Sequence, residues 1–203
     1  MLRLTQTERA VAEIAAVAEH VASLTAGAAA FQLQPDVPLA GSGDRPPLIA
    51  LLDEASAGEA AGTLARIRDW SKHALGVDHV PAVWRALARD PHLLEATWRK
   101  DQLIMSAGAL DELVKGCAAL AVAQFRQSSY WTAYLTQYLR IRFRMDDRAL
   151  VEIAGAVMHY LSFNTIAHGM RLSAPFAEME AADVAPGGQY EHQVPGPKRP
   201  PKR

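Results

Sequence analysis

Residues 80–91 of this 203-residue sequence read VPAVWRALARDP and contain two helix-start signals in succession. Pro81 stands where the first turn of a helix tolerates proline, so residues 80–89 are predicted to form a short helix. Asp90 and Pro91 mark the next start, because aspartate caps a helix N-terminus and proline fits the first turn. The stretch therefore predicts two consecutive helices with a sharp boundary between them.

The rest of the chain is also predicted to be helical, so the fold class is all-α. Alanine and long-chain helix formers dominate it, and alternating β-branched residues are almost absent. Thr5 and Glu8 have the spacing of a capping box, which predicts a first helix over about 5–25 with Gly27 as its stop. The other helices are predicted at about residues 59–75, 91–105, 110–127, 128–143 and 146–172.

Proline and glycine interrupt the helical pattern in two places. Residues 27–47 are predicted to be a linker or strap, and an active-site lid is the less favoured alternative. Residues 175–203 are predicted to be a flexible tail, disordered from 185 onward. The predicted organisation is an N-terminal helix (1–26), the linker, a helical domain (48–174) and the tail.

Charge and cysteine content exclude several functions. The net charge of −1 argues against a dedicated nucleic-acid-binding protein, which should be strongly basic. Cys117 is the only cysteine, so an internal disulfide and a dithiol redox pair are impossible, and a structural zinc site is not expected. No apolar run approaches the roughly 20 residues that span a bilayer, and no signal peptide is recognised. We expect a cytoplasmic protein with no membrane or nucleic-acid partner, no metal and no other cofactor.

Three segments resemble the alkylhydroperoxidase-D-like (AhpD-like) proteins of the carboxymuconolactone decarboxylase superfamily. Residues 80–91 are similar to the start of the family's core, and Trp98 stands where the next helix of the family has a tryptophan. Residues 110–127 resemble the helix that leads into the family's active site, and residues 146–172 resemble its last core helix. The resemblance implies a bundle of about six to seven helices, to which the N-terminal helix and the tail are added. It also implies a homo-oligomer, either a trimer or a hexamer.

The family's catalytic motif is Glu, eleven residues, Cys-x-x-Cys, three residues and His, in which a low-pKa thiolate at a helix start is the redox nucleophile. In this chain Gly116 takes the glutamate position, Ser128 and Trp131 take the cysteine positions, and Leu135 takes the histidine position. Tyr130 stands before the second cysteine position, where the family often has tyrosine or histidine. The resemblance therefore implies a divergent member without thiol peroxidase or disulfide reductase activity.

Neither the remaining cysteine nor a shifted alignment restores the motif. Cys117 lies in the middle of a predicted helix, so its pKa is expected to stay near or above about 8.5. A buried, inert thiol is favoured there over a nucleophile. A slip of one residue would place Ser129 and Thr132 at the cysteine positions, which gives no thiol pair.

Polar and aromatic residues at two predicted sites could bind a small ligand. One site is the start of the 128–143 helix, where exposed N–H groups could bind an anion such as a small carboxylate. The alternative there is a serine N-cap followed by core aromatic residues. The other site is the last helix, where packing or an oligomer contact is the alternative. The candidate ligand-binding residues are Ser128, Ser129, Tyr130, Tyr134, His159, Asn164 and His168.

A basic run lies at the turn between the predicted 128–143 and 146–172 helices. It could clamp a carboxylate or phosphate, since guanidinium groups make bidentate contacts. A solvated face or ion pairs between subunits are the favoured alternative. The run comprises Arg140, Arg142, Arg144 and Arg148, with Arg126 nearby.

Two functions from different classes remain open. The first is an oligomeric small-molecule-binding or assembly protein. The second is a thiol-independent enzyme, decarboxylase-like or dehalogenase-like, that acts on a small carboxylic acid. Its acids or bases would be drawn from Tyr130, Tyr134, His159 and His168, with an arginine holding the substrate. An enzyme should show two titratable side chains and an arginine converging on a cleft of about 300 Å³ or more, whereas an inactive scaffold should have Trp131 and Leu135 filling that space.

Overall fold

The computed structural model describes residues 5–33, 35 and 46–172. Within these residues the chain forms seven α-helices, two 3₁₀ helices (Glu54–Ser56 and Gly58–Ala60) and no β-strand, which confirms the predicted all-α class. Most of the predicted linker and the predicted tail lie outside the described residues. The α-helices are α1 (Gln6–Ala30), α2 (Ala61–Ala74), α3 (Ala82–Leu87), α4 (Pro91–Met105), α5 (Glu112–Phe125), α6 (Ser129–Phe143) and α7 (Asp147–Gly169).

The predicted caps begin two of these helices. Thr5 Oγ1 accepts from the Glu8 N–H at 3.2 Å, and the Glu8 carboxylate accepts from the Thr5 N–H at 2.6 Å. Asp90 Oδ1 accepts from the Leu93 N–H at 3.0 Å, and Pro91 is the first residue of α4. The reciprocal bonds of α1 form the predicted capping box.

Some helix boundaries differ from the prediction because tertiary packing extends or shortens the helix. The first helix continues past Gly27 to Ala30, since the added turn buries Ala28 in the core. Pro81 is the N-cap of α3 and not part of its first turn, so α3 covers only residues 82–87. A 3₁₀ turn precedes α2, which therefore begins at Ala61.

The hydrophobic core draws on the first six helices, and α5 packs against both α1 and α6. Burying each of its large aliphatic side chains contributes about 1.5–3 kcal/mol to folding. The N-terminal helix thus packs on the core of its own chain. The large, fully buried side chains include Val17, Leu64, Ile67, Trp84, Leu94, Leu120 and Leu139.

Gly116 allows α5 and α6 to approach closely. A Cβ atom at this position would lie 2.9 Å from Leu139 Cδ2 and 3.2 Å from Tyr138 Cε1. Real Cβ atoms are essentially never found that close to another carbon, because the two atoms would overlap. The buried Leu139 side chain has little room to move away in a close-packed core. The space that any larger residue would need at Gly116 is therefore occupied by α6.

Glu13 ties α1 to the loop before α5. Its carboxylate accepts from the N–H groups of Ala109 at 2.7 Å and Leu110 at 3.0 Å. The ammonium group of the buried Lys115 lies 2.9 Å from the same carboxylate and donates to the Ser106 carbonyl at 2.7 Å. The two backbone bonds, followed by the lysine, lower the pKa of Glu13 to about 2.

The last helix is apolar and largely exposed, although Leu150 and Ile153 near its start are half-buried and pack against the core. The chain divides into two compact units, which meet in sequence between Ser162 and Phe163, and no residue of α7 is buried. On length and composition alone α7 could span a membrane, the one helix among the described residues that could. The sequence showed no uninterrupted apolar run here because Glu152 and Asn164 lie among the apolar residues of this helix. Its exposed large apolar side chains are Val151, Met158, Tyr160, Phe163 and Ile166.

Candidate functional site

A partly enclosed cavity of about 340 Å³ lies within the first unit, between α1, α2, α4, α5 and α6. Its size and mixed lining are typical of a small-molecule site. Its aromatic lining is Trp70, Trp131, Tyr134 and Tyr138. Its polar lining is His73, Asp101, Gln102, Ser106, Glu112 and Arg142.

The α6 helix supplies one wall of the cavity. Trp131, Tyr134, Tyr138 and Arg142 follow one another at intervals of three or four residues, which places them on one helix face. Trp70 of α2 stacks on this face, with ring centroids 6.3 Å from Tyr134 and 6.0 Å from Tyr138. The interplanar angles of 16° and 19° make these offset stacks, so the aromatic wall is preorganised.

Asp101 brings a carboxylate to the cavity. Its side chain is 13% exposed, and its Oδ1 atom lies 3.0 Å from His20 Nε2 of α1. Gln102 Nε2 approaches the other oxygen, Oδ2, at 3.4 Å. His20 is itself only 2% exposed, so it holds Asp101 from behind and does not line the cavity. A buried carboxylate with a buried imidazole partner is a costly arrangement that is stable only when paired in this way.

A second carboxylate lies with an arginine in the lining. Glu112 Oε2 is 3.3 Å from Arg142 Nη2, and both side chains are partly exposed. Burial first, and then the Glu112 charge, raise the pKa of Tyr138 to about 12, while the Arg142 charge opposes this shift. Tyr138 therefore stays protonated and neutral across the physiological range.

The positions that the alignment assigned to the family motif carry structural roles in this chain. Ser128 is the N-cap of α6, and its Oγ accepts from the Trp131 N–H at 3.3 Å. Trp131 is buried, and its Nε1 donates to the Leu24 carbonyl at 3.0 Å. Leu135 is buried in the cavity wall, and Gly116 lies against α6. The start of α6 is thus built from a cap and core packing.

The four candidate ligand-binding residues at the start of α6 lie in different surroundings. Tyr134 lines the cavity, whereas Tyr130 is 3% exposed and its hydroxyl accepts from the Val83 N–H at 3.1 Å. Ser128 and Ser129 border an open surface groove instead of the cavity. Of this group, only Tyr134 is placed where a ligand in the cavity could touch it.

The candidates on the last helix are exposed. His159 lies on α7 with its ring 5.6 Å from that of Tyr160. Asn164 and His168 lie further along α7, in the second unit, and their side chains are also exposed. None of the three belongs to the described lining of the cavity.

The basic run mostly forms ion pairs within the chain. Arg140 pairs with Asp147, and Arg148 Nε lies 3.1 Å from Glu152 Oε1. Such exposed pairs contribute little to stability. Arg142 differs because it reaches the cavity, which makes it the arginine of the run that could contact a ligand there.

Cys117 is half-buried in the middle of α5, although the sequence predicted a buried thiol. It packs against the edge of the core, because the buried face of α5 is the one that carries Gly116, Leu120 and Ala123. Burial raises the pKa of this thiol above its ordinary value, and the Asp111 carboxylate raises it further. The predicted high pKa is confirmed, and a high pKa leaves little of the reactive thiolate near neutral pH.

Sequence reasoning missed the polar part of the cavity. The tryptophan and two tyrosines of α6 form a stripe that could have been recognised from its helical spacing. His20 and Asp101 are 81 residues apart, and no local pattern links them. Among the described residues, no group of three or more His, Cys, Asp or Glu side chains is arranged to hold a metal ion.

The fold is an all-helical AhpD-like bundle. A crystal structure of the alkylhydroperoxidase AhpD core from Rhodospirillum rubrum is similar to this chain with a TM-score of 0.53 and 27% identity. The similarity covers 65% of this chain and 95% of that one. No family model and no curated protein matches the sequence. The structural match confirms the resemblance to the AhpD-like superfamily that the sequence predicted.

Proposed function

We propose that this AhpD-like protein binds a small molecule in the aromatic cavity and has no thiol peroxidase activity. The observation that carries the proposal is the cavity of about 340 Å³. One of its walls is α6, which contributes Trp131 and Leu135, two of the positions aligned with the family's motif. Trp131 and Leu135 line this space without filling it. A preformed concave site with aromatic walls and a few polar groups is what small-molecule binding requires.

The loss of thiol chemistry is supported by both ends of the motif. At the thiol end, Ser128 caps α6 and Trp131 is held in the core. At the glutamate end, Gly116 has no room for a carboxylate side chain because Leu139 lies 2.9 Å from its Cβ position. Cys117, whose pKa is raised, lies within α5 and not at the start of α6. The chain has no second cysteine that could resolve a disulfide.

Peroxide consumption tests the negative part of the proposal. We expect the wild-type protein, supplied with a dithiol reductant and hydrogen or alkyl peroxide, to turn over no faster than the reductant alone. The Cys117→Ser variant should give the same baseline rate. Turnover above baseline that disappears in Cys117→Ser would contradict the proposed loss of thiol chemistry.

A ligand screen tests the positive part. Small carboxylic acids, lactones, peroxides, alcohols and amines are screened by thermal shift, and hits are measured by titration calorimetry. We expect a hit whose affinity falls at least about tenfold in Trp70→Leu, because that variant removes stacked aromatic wall. The matched control is Tyr160→Leu, an exposed aromatic residue outside the cavity lining. Hits that both variants bind equally well would place the binding elsewhere.

We also propose a homo-oligomer, either a trimer or a hexamer, with α7 in its interface. The support is the exposed apolar surface of α7, since a helix that is apolar on most sides is normally covered. A second copy of the chain would cover Val151 and Met158, which are 68% and 67% exposed.

A second candidate function is a thiol-independent enzyme acting on a small carboxylic acid. The observation that favours it is the convergence of Asp101, Tyr138 and Arg142 on one cavity. Arg142 could hold the substrate carboxylate, and Tyr134 is the remaining acid or base from the sequence candidates. Carbon dioxide or halide release from such acids, lost in Arg142→Gln, would support this alternative, whereas saturable binding without any release supports the binding protein.

A further inference from the structure

We propose that the cavity takes a small organic cation, such as a methylated ammonium or an arylalkylamine, with Asp101 as its counter-ion. This inference rests on the proposed binding function and adds the charge class of the ligand. It differs from the small carboxylate that the sequence suggested.

The aromatic wall is suited to a cation. Trp70, Trp131, Tyr134 and Tyr138 all line the cavity, and the ring of Trp131 lies 4.8 Å from that of Tyr134. The faces of such rings carry negative potential, so they attract ammonium groups, and tryptophan attracts them most strongly. The walls thus offer both the apolar surface and the electrostatic attraction that an alkylated ammonium requires.

The charges of the lining favour the same class. Two carboxylates, Asp101 and Glu112, face one guanidinium, Arg142, and Glu112 already neutralises that guanidinium at 3.3 Å. Among the described ion pairs, this leaves Asp101 as the lining carboxylate with no charged partner in the lining itself, where its contact is the neutral amide of Gln102. Its partner His20 is behind the wall and bonds only one of the two oxygens, Oδ1.

The second oxygen of Asp101 can accept from a ligand. The contact between its Oδ2 and Gln102 Nε2 is 3.4 Å, which is long for a hydrogen bond of this type. An ionised carboxylate offers about four acceptor sites, so a ligand ammonium could bond Oδ2 without displacing His20. A charge-assisted bond of this kind is also stronger than a bond between neutral groups.

An anion fits the lining less well. To hold a carboxylate, Arg142 would have to leave Glu112, which would add an unpaired carboxylate beside the ligand. The ligand would also face Asp101 at close range, where like charges repel.

Matched ligand sets test the charge class directly by titration calorimetry. One set is choline, its neutral carbon analogue 3,3-dimethylbutan-1-ol, and the anion 3,3-dimethylbutanoate. The other is 2-phenylethylammonium, 2-phenylethanol and 3-phenylpropanoate. We expect the cation of at least one set to bind about tenfold more tightly than its neutral analogue, the size expected for a desolvated cation–π contact together with attraction to the Asp101 charge. Only 2-phenylethylammonium can also donate an N–H to Asp101, because the quaternary nitrogen of choline carries no hydrogen. The anions should bind most weakly.

Variants locate the effect. Asp101→Asn preserves the shape of the side chain and a hydrogen bond to His20, and it should weaken cation binding about tenfold while leaving the neutral analogue unchanged. Glu112→Gln frees the Arg142 charge and should also weaken the cation, which keeps the test decisive if Asp101→Asn folds poorly. The control is Glu59→Gln, an exposed carboxylate outside the cavity.

Each outcome separates this inference from the proposed function. If the neutral compound binds as tightly as the cation and Trp70→Leu weakens both, the cation inference is wrong and the proposed function stands. Tightest binding by an anion overturns the inference in favour of Arg142 as the ligand-binding residue. Absence of saturable binding by all six compounds also overturns it, and the broader screen then decides the proposed function.

Discussion

Gly116 lies where α5 and α6 approach each other closely enough to exclude a Cβ atom. We predict that Gly116→Ala destabilises the protein by about 1–3 kcal/mol, because the new Cβ would press on Leu139 and Tyr138. Chemical denaturation of wild type and variant measures the difference. Gly62→Ala is the matched control, since nothing lies within 4 Å of the corresponding Cβ in α2. Equal stability of both variants would contradict the close approach of α5 and α6.

Glu13 gives the protein a pH-dependent contribution to stability. Its pKa is about 2 in the folded chain and about 4.5 ordinarily, so its contribution is complete above pH 4.5 and is lost as pH falls toward 2. We predict that Glu13→Gln lowers the Tm at pH 7, and that the Tm difference from wild type shrinks steadily below pH 4.5. Circular dichroism melts between pH 7 and pH 2 measure it.

The control for Glu13 is Glu152→Gln, which removes an exposed carboxylate paired with Arg148. Surface pairs of this kind contribute little, so its Tm should follow the wild type at every pH. A Glu13→Gln difference that stays constant with pH would show that the carboxylate does not hold the Ala109 and Leu110 amides as described.

Among individual residues, the helix caps were predictable from the sequence and the cavity lining was not. Thr5 and Asp90 were predictable because each bonds a backbone N–H only three residues away. Asp101 was not, because its partner His20 comes from α1 and nothing in either local sequence indicates the pairing. The stacking of Trp70 on Tyr134 was not predictable either, because it depends on how α2 meets α6.

Among the helices, α6 offers a direct test of the role of its first residue. We predict that Ser128→Ala destabilises the protein by about 1 kcal/mol, because the N-cap bond to the Trp131 N–H is lost. Ser129→Ala, which changes an exposed side chain in the first turn, should alter stability by less than about 0.5 kcal/mol. Thermal or chemical denaturation compares the two. Ligand affinity in the cavity should be the same in both variants. A loss of affinity in Ser128→Ala alone would indicate that the ligand binds at the start of α6.

The ends of elements were harder to predict than their existence. All seven α-helices follow from composition and apolar spacing, but α1 runs past Gly27 because burial of Ala28 outweighs the weak helix propensity of glycine. The exposure of α7 was not predictable either. Apolar residues on a helix indicate that other groups pack over it. They do not indicate whether those groups belong to the same chain.

For the whole molecule, α7 determines the predicted assembly. We predict that the double variant Val151→Glu, Met158→Glu dissociates the homo-oligomer, since it places two charges on one face of the exposed helix. Size-exclusion chromatography with light scattering measures the mass. Leu103→Glu, which changes an equally exposed leucine on α4, should leave the mass unchanged. A wild-type protein that is already monomeric would contradict the proposed assembly.

The four tryptophans of the chain form one connected aromatic array. Trp84 and Trp98 are 5.2 Å apart, Trp98 and Trp70 are 5.6 Å apart, and Tyr134 bridges Trp70 to Trp131. At such separations an excited indole passes its energy to its neighbours before it emits light. Intrinsic fluorescence is therefore a collective property of the array, and an occupant touching Trp70 or Trp131 will change the emission of the entire chain without any added label.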